Sequence, residues 1–238
     1  MSAGQTHVRV NHGWLAAGEK RLLIWMARRL PGWINADHLT ALALLAMAGV
    51  GAALAVARYW PPALLLAIAG LALNWVGDSL DGTVARVRGH QRPRYGFYVD
   101  HVLDMAGISL LLGGLALSGF MSPVIALGLL AAYLLVSSEV FLATAVHGEF
   151  RMSFLNVGPT ELRLVLAVGI AMLFSRAWVT PFGLGPFRLF DIGGVVAACG
   201  LIIAFTTAAI RTTAMLYRAE PLPCVTFQAS EYEEPARG

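Results

Sequence analysis

The sequence has few charged residues and a small net charge. Asp, Glu, Lys and Arg make up 13% of the 238 residues, whereas hydrophobic residues make up 58%. A soluble domain carries about 25% charged residues, so we expect lipid rather than water to be the main solvent. The net charge of +3 is too small to predict a nucleic-acid partner.

Cysteines are also scarce: there are two, Cys199 in an apolar run and Cys224 near the end of the chain. Their positions show neither the spacing of a metal site nor a disulfide framework. We expect a small buried side chain at Cys199 and an ordinary thiol at Cys224. A secretory signal peptide is not expected, because polar residues interrupt positions 7–12 and no hydrophobic stretch with a small-residue cleavage site follows.

Long hydrophobic stretches, in contrast, are abundant. A helix that crosses a membrane needs about 20 mostly apolar residues. Six stretches approach that length and are separated by turn-forming glycines and prolines: Leu39–Ala57, Pro61–Leu80, Tyr98–Ser118, Val124–Val146, Leu162–Trp178 and Leu189–Ile210. Their richness in Ala and Leu favours helices over barrel strands. The sequence therefore predicts an all-α membrane protein with six transmembrane helices.

Residues 14–33, before the first of these spans, interleave apolar and basic side chains. The pattern predicts an N-terminal amphipathic helix that lies in the membrane interface, although a helix packed on the protein would look similar. Prolines and an acidic cluster near the end of the chain are typical of a disordered tail. We therefore expect an N-terminal arm (1–37), a six-helix transmembrane domain (38–217) and a tail (218–238).

Basic residues are distributed unevenly over the connecting segments. If the N-terminus is cytosolic, thirteen Lys and Arg residues lie on the cytosolic side and three on the other, with Arg163 at the head of the fifth span. Because Lys and Arg concentrate in cytoplasmic loops, we predict that both termini are cytosolic. A membrane of the bacterial inner-membrane type is the expected location.

Four aspartates stand out at the ends of two hydrophobic stretches. Asp78 and Asp81 are three residues apart near the end of the second span, and Asp100 and Asp104 are four residues apart near the start of the third. Each pair shares one face of a helix. The short loop between the spans makes them antiparallel, so all four carboxylates can meet at one depth near the cytosolic surface.

Such a group of carboxylates would repel strongly without cations, and these helices offer no matching basic residues. Hard divalent ions take oxygen ligands and often bind substrate phosphates as well. We therefore predict Mg²⁺ or Mn²⁺, two ions in all, with a phosphate ester or diphosphate as ligand. A structural salt-bridge network and a metal-ion channel or transporter are the alternatives, but transport would spread the acids through the membrane depth.

Two small residues accompany the first pair of acids. Ala85 falls on the face of Asp78 and Asp81, and Gly82 lies beside it. Small side chains there would leave room for a substrate close to the helix backbone. The alternative is close packing against another helix, which is common in membranes.

Together these residues resemble the signature of the CDP-alcohol phosphotransferases. The pattern DxxDGxxAR, then eight or nine residues, then GxxxDxxxD, spans 27 residues here. Every fixed position of the pattern is matched: Asp78, Asp81, Gly82, Ala85, Arg86, Gly96, Asp100 and Asp104. The six-span layout is also similar to that of the family, so the resemblance extends over most of the chain.

The resemblance implies an enzyme of phospholipid synthesis that displaces CMP from a CDP-linked alcohol with a second alcohol, at least one of the two being a lipid. It implies six transmembrane helices, usually in a homodimer. Asp78, Asp81 and Asp100 would bind metal. Asp104 would help to hold the second ion and act as the general base on the incoming hydroxyl. Four residues would border the cytidine diphosphate: Gly82, Ala85, Arg86 and Gly96.

Three features resemble the branch that uses CDP-choline or CDP-ethanolamine with diacylglycerol. His101 follows Asp100, the segment from Gly158 to Glu161 is similar to a Gly-Pro/Thr-Glu element of that branch, and Glu139 lies inside the fourth span. His101 and Glu161 would then be auxiliary groups near the acceptor. The alternatives are a packing histidine, an acid in the first turn of a helix and, for Glu139, a buried acid bonded to a neighbouring helix.

A CDP-diacylglycerol-dependent synthase is the alternative within the same family. If its acceptor carried a phosphate, basic residues would be needed near the cavity, and Arg151 and Arg163 could supply them. The sequence leaves the identities of donor and acceptor open.

Overall fold

The structure is a computed structural model that describes residues 16–147, 159–183 and 185–220. It contains seven helices: α1 (Ala16–Arg29), α2 (Ala36–Ala57), α3 (Ala63–Val87), α4 (Pro93–Ser118), α5 (Pro123–His147), α6 (Pro159–Met172) and α7 (Leu189–Ala219). Between α6 and α7, strands β1 (Trp178–Val179) and β2 (Phe187–Arg188) form a short antiparallel pair around the 3-10 turn Pro181–Gly183. The described chain is otherwise helical or in turns, which confirms the all-helical prediction.

Helix ends follow local signals in the sequence. Asn35 caps α2, because its side chain accepts a hydrogen bond from the backbone N–H of His38 at 3.0 Å while the His38 ring accepts one from the backbone N–H of Asn35 at 3.3 Å. Helix α4 begins at Pro93 and ends before Gly119, whose φ of 77° is a left-handed conformation that glycine adopts without steric cost.

Five helices are long and apolar enough to cross a membrane: α2, α3, α4, α5 and α7. They match five of the six predicted spans, although α3 continues past the predicted end at Leu80 to Val87 and α4 begins at Pro93 instead of Tyr98. For the predicted span Leu162–Trp178 the structure has α6. Its 14 residues cover about 21 Å, less than the roughly 30 Å of a hydrocarbon core. Among the described residues, five helices are therefore candidates to span a membrane.

Helix α2 is central to the bundle and packs extensively against both α3 and α4. Its crossing with α4 is unusually close: a Cβ on Gly114 would lie 2.2 Å from the backbone oxygen of Gly51, and one on Gly51 would lie 2.3 Å from that of Leu110. Only glycine permits this approach. In the described part of the chain, α3 and α4 make no comparable contact with each other, so α2 sets their relative position.

Two apolar cores lie at opposite ends of the bundle. The larger one joins the C-terminal half of α2 to the start of α3 and the end of α4, around Val50, Leu54, Leu64 and Leu111. The smaller one lies at the other end, where α1 packs on α3: Leu23, Ala27, Leu39, Leu80 and Val84. Helix α1 thus forms where the sequence predicted a helix, and it packs on the protein.

Helices α5 and α7 are weakly buried and turn apolar side chains outward, as expected of helices that contact lipid. Cys199 on α7 is exposed, so the expectation of a buried side chain is wrong. The reason is that α7 packs mainly on α5, which leaves most of its circumference uncovered. Cys224, Arg151, Gly158, the tail from 221 and the arm before residue 16 lie outside the described residues.

Candidate active site

Three of the four aspartates meet in the structure. Asp78 on α3 and Asp100 and Asp104 on α4 each offer a carboxylate oxygen, and the three oxygens lie within 4.8 Å of one another. Asp78 and Asp100 are partly buried, whereas Asp104 is exposed. We call these three residues the acid cluster. Its donor set of carboxylate oxygens fits a hard divalent cation such as Mg²⁺.

Asp81 lies beside the acid cluster and is held by α2. Its Oδ2 accepts a hydrogen bond from Thr40 Oγ1 at 2.7 Å, and its Oδ1 accepts one from the backbone N–H of Gly82. The carboxylate still interacts electrostatically with Asp100 and Asp78. Asp81 is therefore a neighbour of the three-oxygen group and not a member of it.

A basic partner for Asp78 comes from α6. Arg163 Nη2 donates to Asp78 Oδ2 at 2.6 Å, and Arg163 Nε donates to Asn74 Oδ1 at 2.8 Å. Asn74 is buried and donates in turn to the backbone oxygen of Ala43 on α2 at 3.0 Å. The expectation that the acids lack basic partners is therefore wrong for Asp78. Its partner lies 85 residues away along the chain, beyond the reach of any helix spacing.

The small residues predicted to border a nucleotide lie near the acids at the end of α3 and the start of α4. A Cβ on Gly82 would meet the guanidinium of Arg86 first, 3.3 Å from its Nη1, and a Cβ on Gly96 would meet nothing within 4 Å. Arg86 is exposed and donates to Thr83 Oγ1 at 3.1 Å, and Ala85 is partly buried. Packing against another helix does not explain Gly82, because its nearest contact is a flexible side chain of its own helix.

A comparison with known families matches residues 33–206, from the start of α2 into α7, to the CDP-alcohol phosphatidyltransferases. The chain belongs to this family. Its members are transferases of substituted phosphate groups that build phospholipids from a CDP-alcohol and an alcohol acceptor, normally with divalent cations. A search of curated proteins found no match to the chain.

In this transferase, one oxygen of Glu19 joins three helices near the acid cluster. Glu19 Oε1 on α1 accepts hydrogen bonds from Trp75 Nε1 on α3 at 2.8 Å and from Thr160 Oγ1 on α6 at 2.9 Å. Sequence reasoning missed Glu19, because the basic and apolar residues around it dominate the pattern. Glu161 lies partly buried in the first turn of α6, where an acid stabilises the helix N-terminus.

His101 packs between the acid cluster and two aromatic rings. Its Nδ1 lies 2.7 Å from the backbone oxygen of Phe97 and 3.9 Å from Asp100 Oδ2. Because a carbonyl oxygen only accepts, Nδ1 carries the proton in this contact. The centroid of the His101 ring lies 4.3 Å from that of Phe97 and 5.3 Å from that of Phe141, so the ring packs on both aromatic side chains.

Helix α5 contributes two polar groups. Glu139 is buried and its Oε1 accepts a hydrogen bond from Thr212 Oγ1 on α7 at 3.2 Å, as the alternative of an acid bonded to a neighbouring helix predicts. Tyr133 lies close enough to Asp104 and Asp100 for their charges to act on its phenol. Sequence reasoning missed Tyr133, since a tyrosine in an apolar span has no distinctive signal.

Two arginines between α3 and α4 serve the fold. Arg88 donates through Nη2 to the backbone oxygens of Leu30 at 2.9 Å and Pro31 at 3.1 Å, which fastens the turn after α1. Arg92 Nη2 donates to both carboxylate oxygens of Asp37, at 2.8 and 2.6 Å, and this hydrogen bonding raises the pKa of Arg92.

Proposed function

We propose that the chain transfers the phosphoaminoalcohol of a CDP-aminoalcohol, such as CDP-choline or CDP-ethanolamine, to diacylglycerol and releases CMP. The observation that carries the proposal is the acid cluster, three carboxylate oxygens within 4.8 Å in the motif of the family. The choice of aminoalcohol rests on His101, directly after Asp100, and on Glu161 at the start of α6.

The acidic residues would hold Mg²⁺ or Mn²⁺, and we propose two ions. Asp78, Asp81 and Asp100 would be ligands, and Asp104 would complete the set. When bound, the cations neutralise the diphosphate and stabilise CMP as it leaves. For Asp81, the hydrogen bond from Thr40 holds the carboxylate at its present position, close to the acid cluster.

Asp104 would be the general base. It is the exposed member of the acid cluster, so an acceptor hydroxyl can approach within hydrogen-bond distance. Its carboxylate would take the hydroxyl proton as the alcohol oxygen bonds to the β-phosphorus. The bond from that phosphorus to the bridging oxygen breaks, and the electron pair leaves with CMP. Positioning and charge stabilisation supply most of what such a transfer requires.

The cytidine diphosphate would lie along the last turns of α3 and the first turn of α4. Gly82 and Gly96 leave space for it there, since neither is covered by a neighbouring helix. Ala85 would border the same space. Arg86 is exposed and would donate to phosphate oxygens.

A CDP-diacylglycerol-dependent synthase is the second candidate. The observation that favours it is the position of Arg163 at the acid cluster, since a phosphorylated acceptor needs a cation nearby. His101 and Glu161 would be auxiliary groups at the acceptor in either candidate.

For the arrangement in the membrane, we propose six spans, with Leu162–Trp178 as the fifth. We propose that α1 also lies in the interface, supported by the exposed apolar side chains of Leu22 and Trp25. We propose a membrane of the bacterial inner-membrane type, and the basic bias supports an orientation with both termini and the active site in the cytosol. The proposed units are the arm 1–37, the catalytic domain 38–217 and a tail 218–238 whose first two residues still belong to α7, and we propose that the chain assembles as a homodimer.

Purified protein supplied with each donor and candidate acceptors tests the reaction. We expect release of CMP that requires Mg²⁺ or Mn²⁺ with CDP-choline or CDP-ethanolamine and diacylglycerol. Release of CMP when CDP-diacylglycerol is the donor, and not when a CDP-aminoalcohol is, would select the second candidate. Divalent-metal flux into liposomes, with no CMP from any pair, would instead support a transporter.

The variant Asp104→Asn tests the proposed base. We expect turnover to fall by a factor of about 10² or more, because proton transfer by a positioned base contributes that much, while cytidine nucleotide binding persists. The matched control is Asp191→Asn, since Asp191 accepts a hydrogen bond from the backbone N–H of Ser122 at 2.5 Å and takes no part in the proposed chemistry. Wild-type turnover in Asp104→Asn would exclude Asp104 as the base.

A further inference from the structure

The contact between Arg163 and Asp78 has no assigned role in the transfer from a CDP-aminoalcohol to diacylglycerol. We propose that Arg163 is the internal counter-ion of the acid cluster and the positioning residue for Asp78: it lowers the affinity of the cluster for divalent cations and holds the carboxylate in one orientation. The effect on turnover rests on the proposed function. The effect on cation binding does not, and it can be measured without substrate.

The ion pair is short and largely shielded from water. Nη2 and Oδ2 are 2.6 Å apart, and the side chains of Arg163 and Asp78 are 17% and 19% exposed. Charge-assisted hydrogen bonds are stronger than neutral ones, and charges interact more strongly where water is partly excluded. Without the guanidinium, Asp78 would face the carboxylates of Asp100 and Asp104 with no cation beside it among the described residues.

The guanidinium is itself held by a chain of contacts that reaches α2. Nε of Arg163 donates to Asn74 Oδ1 at 2.8 Å, and Asn74 Nδ2 donates to the backbone oxygen of Ala43 at 3.0 Å. Asn74 is 7% exposed, so its amide is fixed by burial. Because both contacts use defined atoms of a planar group, the position of Arg163 is set from two directions.

The start of α6 is anchored separately. Thr160 lies three residues before Arg163, hence on the same helix face, and its Oγ1 donates to Glu19 Oε1 at 2.9 Å. The same Glu19 oxygen accepts from Trp75 on α3 at 2.8 Å. Helix α6 is therefore joined to α3 directly through Arg163 and indirectly at Thr160, through Glu19 on α1.

The charges agree with a counter-ion role. A guanidinium beside Asp78 reduces the negative charge with which the cluster attracts a divalent cation. A phosphate on an acceptor could reach Nη2 only by sharing or displacing Asp78, because that nitrogen already donates to the carboxylate. The structure thus favours a role of Arg163 toward the acid cluster over a role toward the acceptor.

Manganese binding, followed by electron paramagnetic resonance without nucleotide, tests the proposal. Arg163→Gln and Arg163→Met remove the charge, whereas Arg163→Lys keeps it on a similar stem. We expect both neutral variants to bind Mn²⁺ about tenfold more tightly, since a unit charge about 6 Å from a divalent ion has roughly that effect even in a water-like dielectric. Arg163→Lys should stay close to wild type, as should the control Arg176→Gln at an exposed site after α6.

Turnover and stability supply two further measurements. We expect the neutral variants to lose about tenfold or more in kcat despite tighter Mn²⁺ binding, because a loosely held Asp78 misplaces its ligand oxygen. In EDTA they should unfold at a lower temperature than wild type. Added Mn²⁺ should raise their Tm by more, because stabilisation by a ligand increases with the logarithm of its affinity for the folded state. The increase in Tm on addition of Mn²⁺ therefore compares the Mn²⁺ affinities even of a variant that is too unstable for electron paramagnetic resonance.

Equal Mn²⁺ affinity in all variants, or weaker binding in the neutral ones, would overturn the counter-ion role. An increase confined to the KM of a phosphorylated acceptor would assign Arg163 to that acceptor and overturn it as well. Tighter Mn²⁺ binding in a protein that releases no CMP would leave the counter-ion role standing and reject the proposed function.

Discussion

Replacing Gly114 with alanine tests whether the close crossing of α2 and α4 sets the geometry of the active site. The new Cβ would lie 2.2 Å from the backbone oxygen of Gly51 and 2.5 Å from its Cα. Carbon atoms in contact prefer about 3.5–4.0 Å. Since the opposing atoms are backbone, no side chain can turn away, and the two helices must separate by about 1 Å or more.

The cost follows from what lies around the crossing. Leu54, Leu111 and Leu115 are almost fully buried beside it and would lose contacts as the helices part. Overpacking of this kind costs about 1–3 kcal/mol. One kcal/mol changes Tm by about 2–4 °C in a chain of this size, so we expect Tm to fall by about 5 °C.

The rate of CMP release should fall by more than the loss of stability alone would cause. Helix α4 carries Asp100 and Asp104, while α2 carries Thr40, which holds Asp81. A displacement of about 1 Å between reacting groups can cost about 10² in rate. We expect CMP release by Gly114→Ala to fall at least tenfold, on the order set by that displacement.

The neighbouring residue supplies a matched control. A Cβ on Gly113 would meet nothing within 4 Å, so Gly113→Ala adds the same atom to the same helix without a clash. Alanine favours a helix over glycine by about 1 kcal/mol, so Tm should stay the same or rise. Thermal unfolding in detergent and CMP release measure both effects. Identical Tm and rates in Gly114→Ala and Gly113→Ala would refute the inference that this crossing positions the site.

Two further predictions concern single hydrogen bonds. Thr40→Val removes the hydrogen-bond donor to Asp81 and should lower kcat about tenfold, which is the effect of losing a charge-assisted bond. Thr40→Ser retains the hydroxyl, so its kcat should stay near that of wild type. Equal kcat values in the two variants would exclude a role for this bond. Glu139→Gln keeps the acceptor for Thr212, so we expect CMP release within about twofold of wild type, and a large loss of kcat would assign Glu139 to the chemistry.

The sequence predicted elements that depend on local pattern. Five of the six hydrophobic stretches match helices long enough to span, because an uninterrupted apolar run has few other stable conformations in a membrane. Their ends were less accurate. Helix α3 continues to Val87 because nothing after Leu80 breaks it until the turn at Gly89, whose φ is 69°.

The fifth predicted span stays a prediction. Leu162–Trp178 is apolar, yet the described helix ends at Met172 and a turn follows. An apolar run can be buried against other helices as well as against lipid, and composition does not separate the two. The buried side chains of Ile170 and Leu173 belong to the main core of the protein.

For the site, the sequence by itself determined which acids share a helix face, because the 3.6-residue period places Asp78 with Asp81 and Asp100 with Asp104. The tertiary structure decided which carboxylates converge: Asp78 joins the pair on α4, while Asp81 turns to Thr40.

Partners between helices were likewise decided by the tertiary structure. Arg163 reaches Asp78 across 85 residues of chain, and Glu19 reaches Thr160 across 141. Helical periodicity relates residues three or four apart and carries no information about which other helix lies opposite. Which helix lies opposite is decided only when close crossings, such as that of α2 and α4 at Gly51 and Gly114, fix how the helices pack.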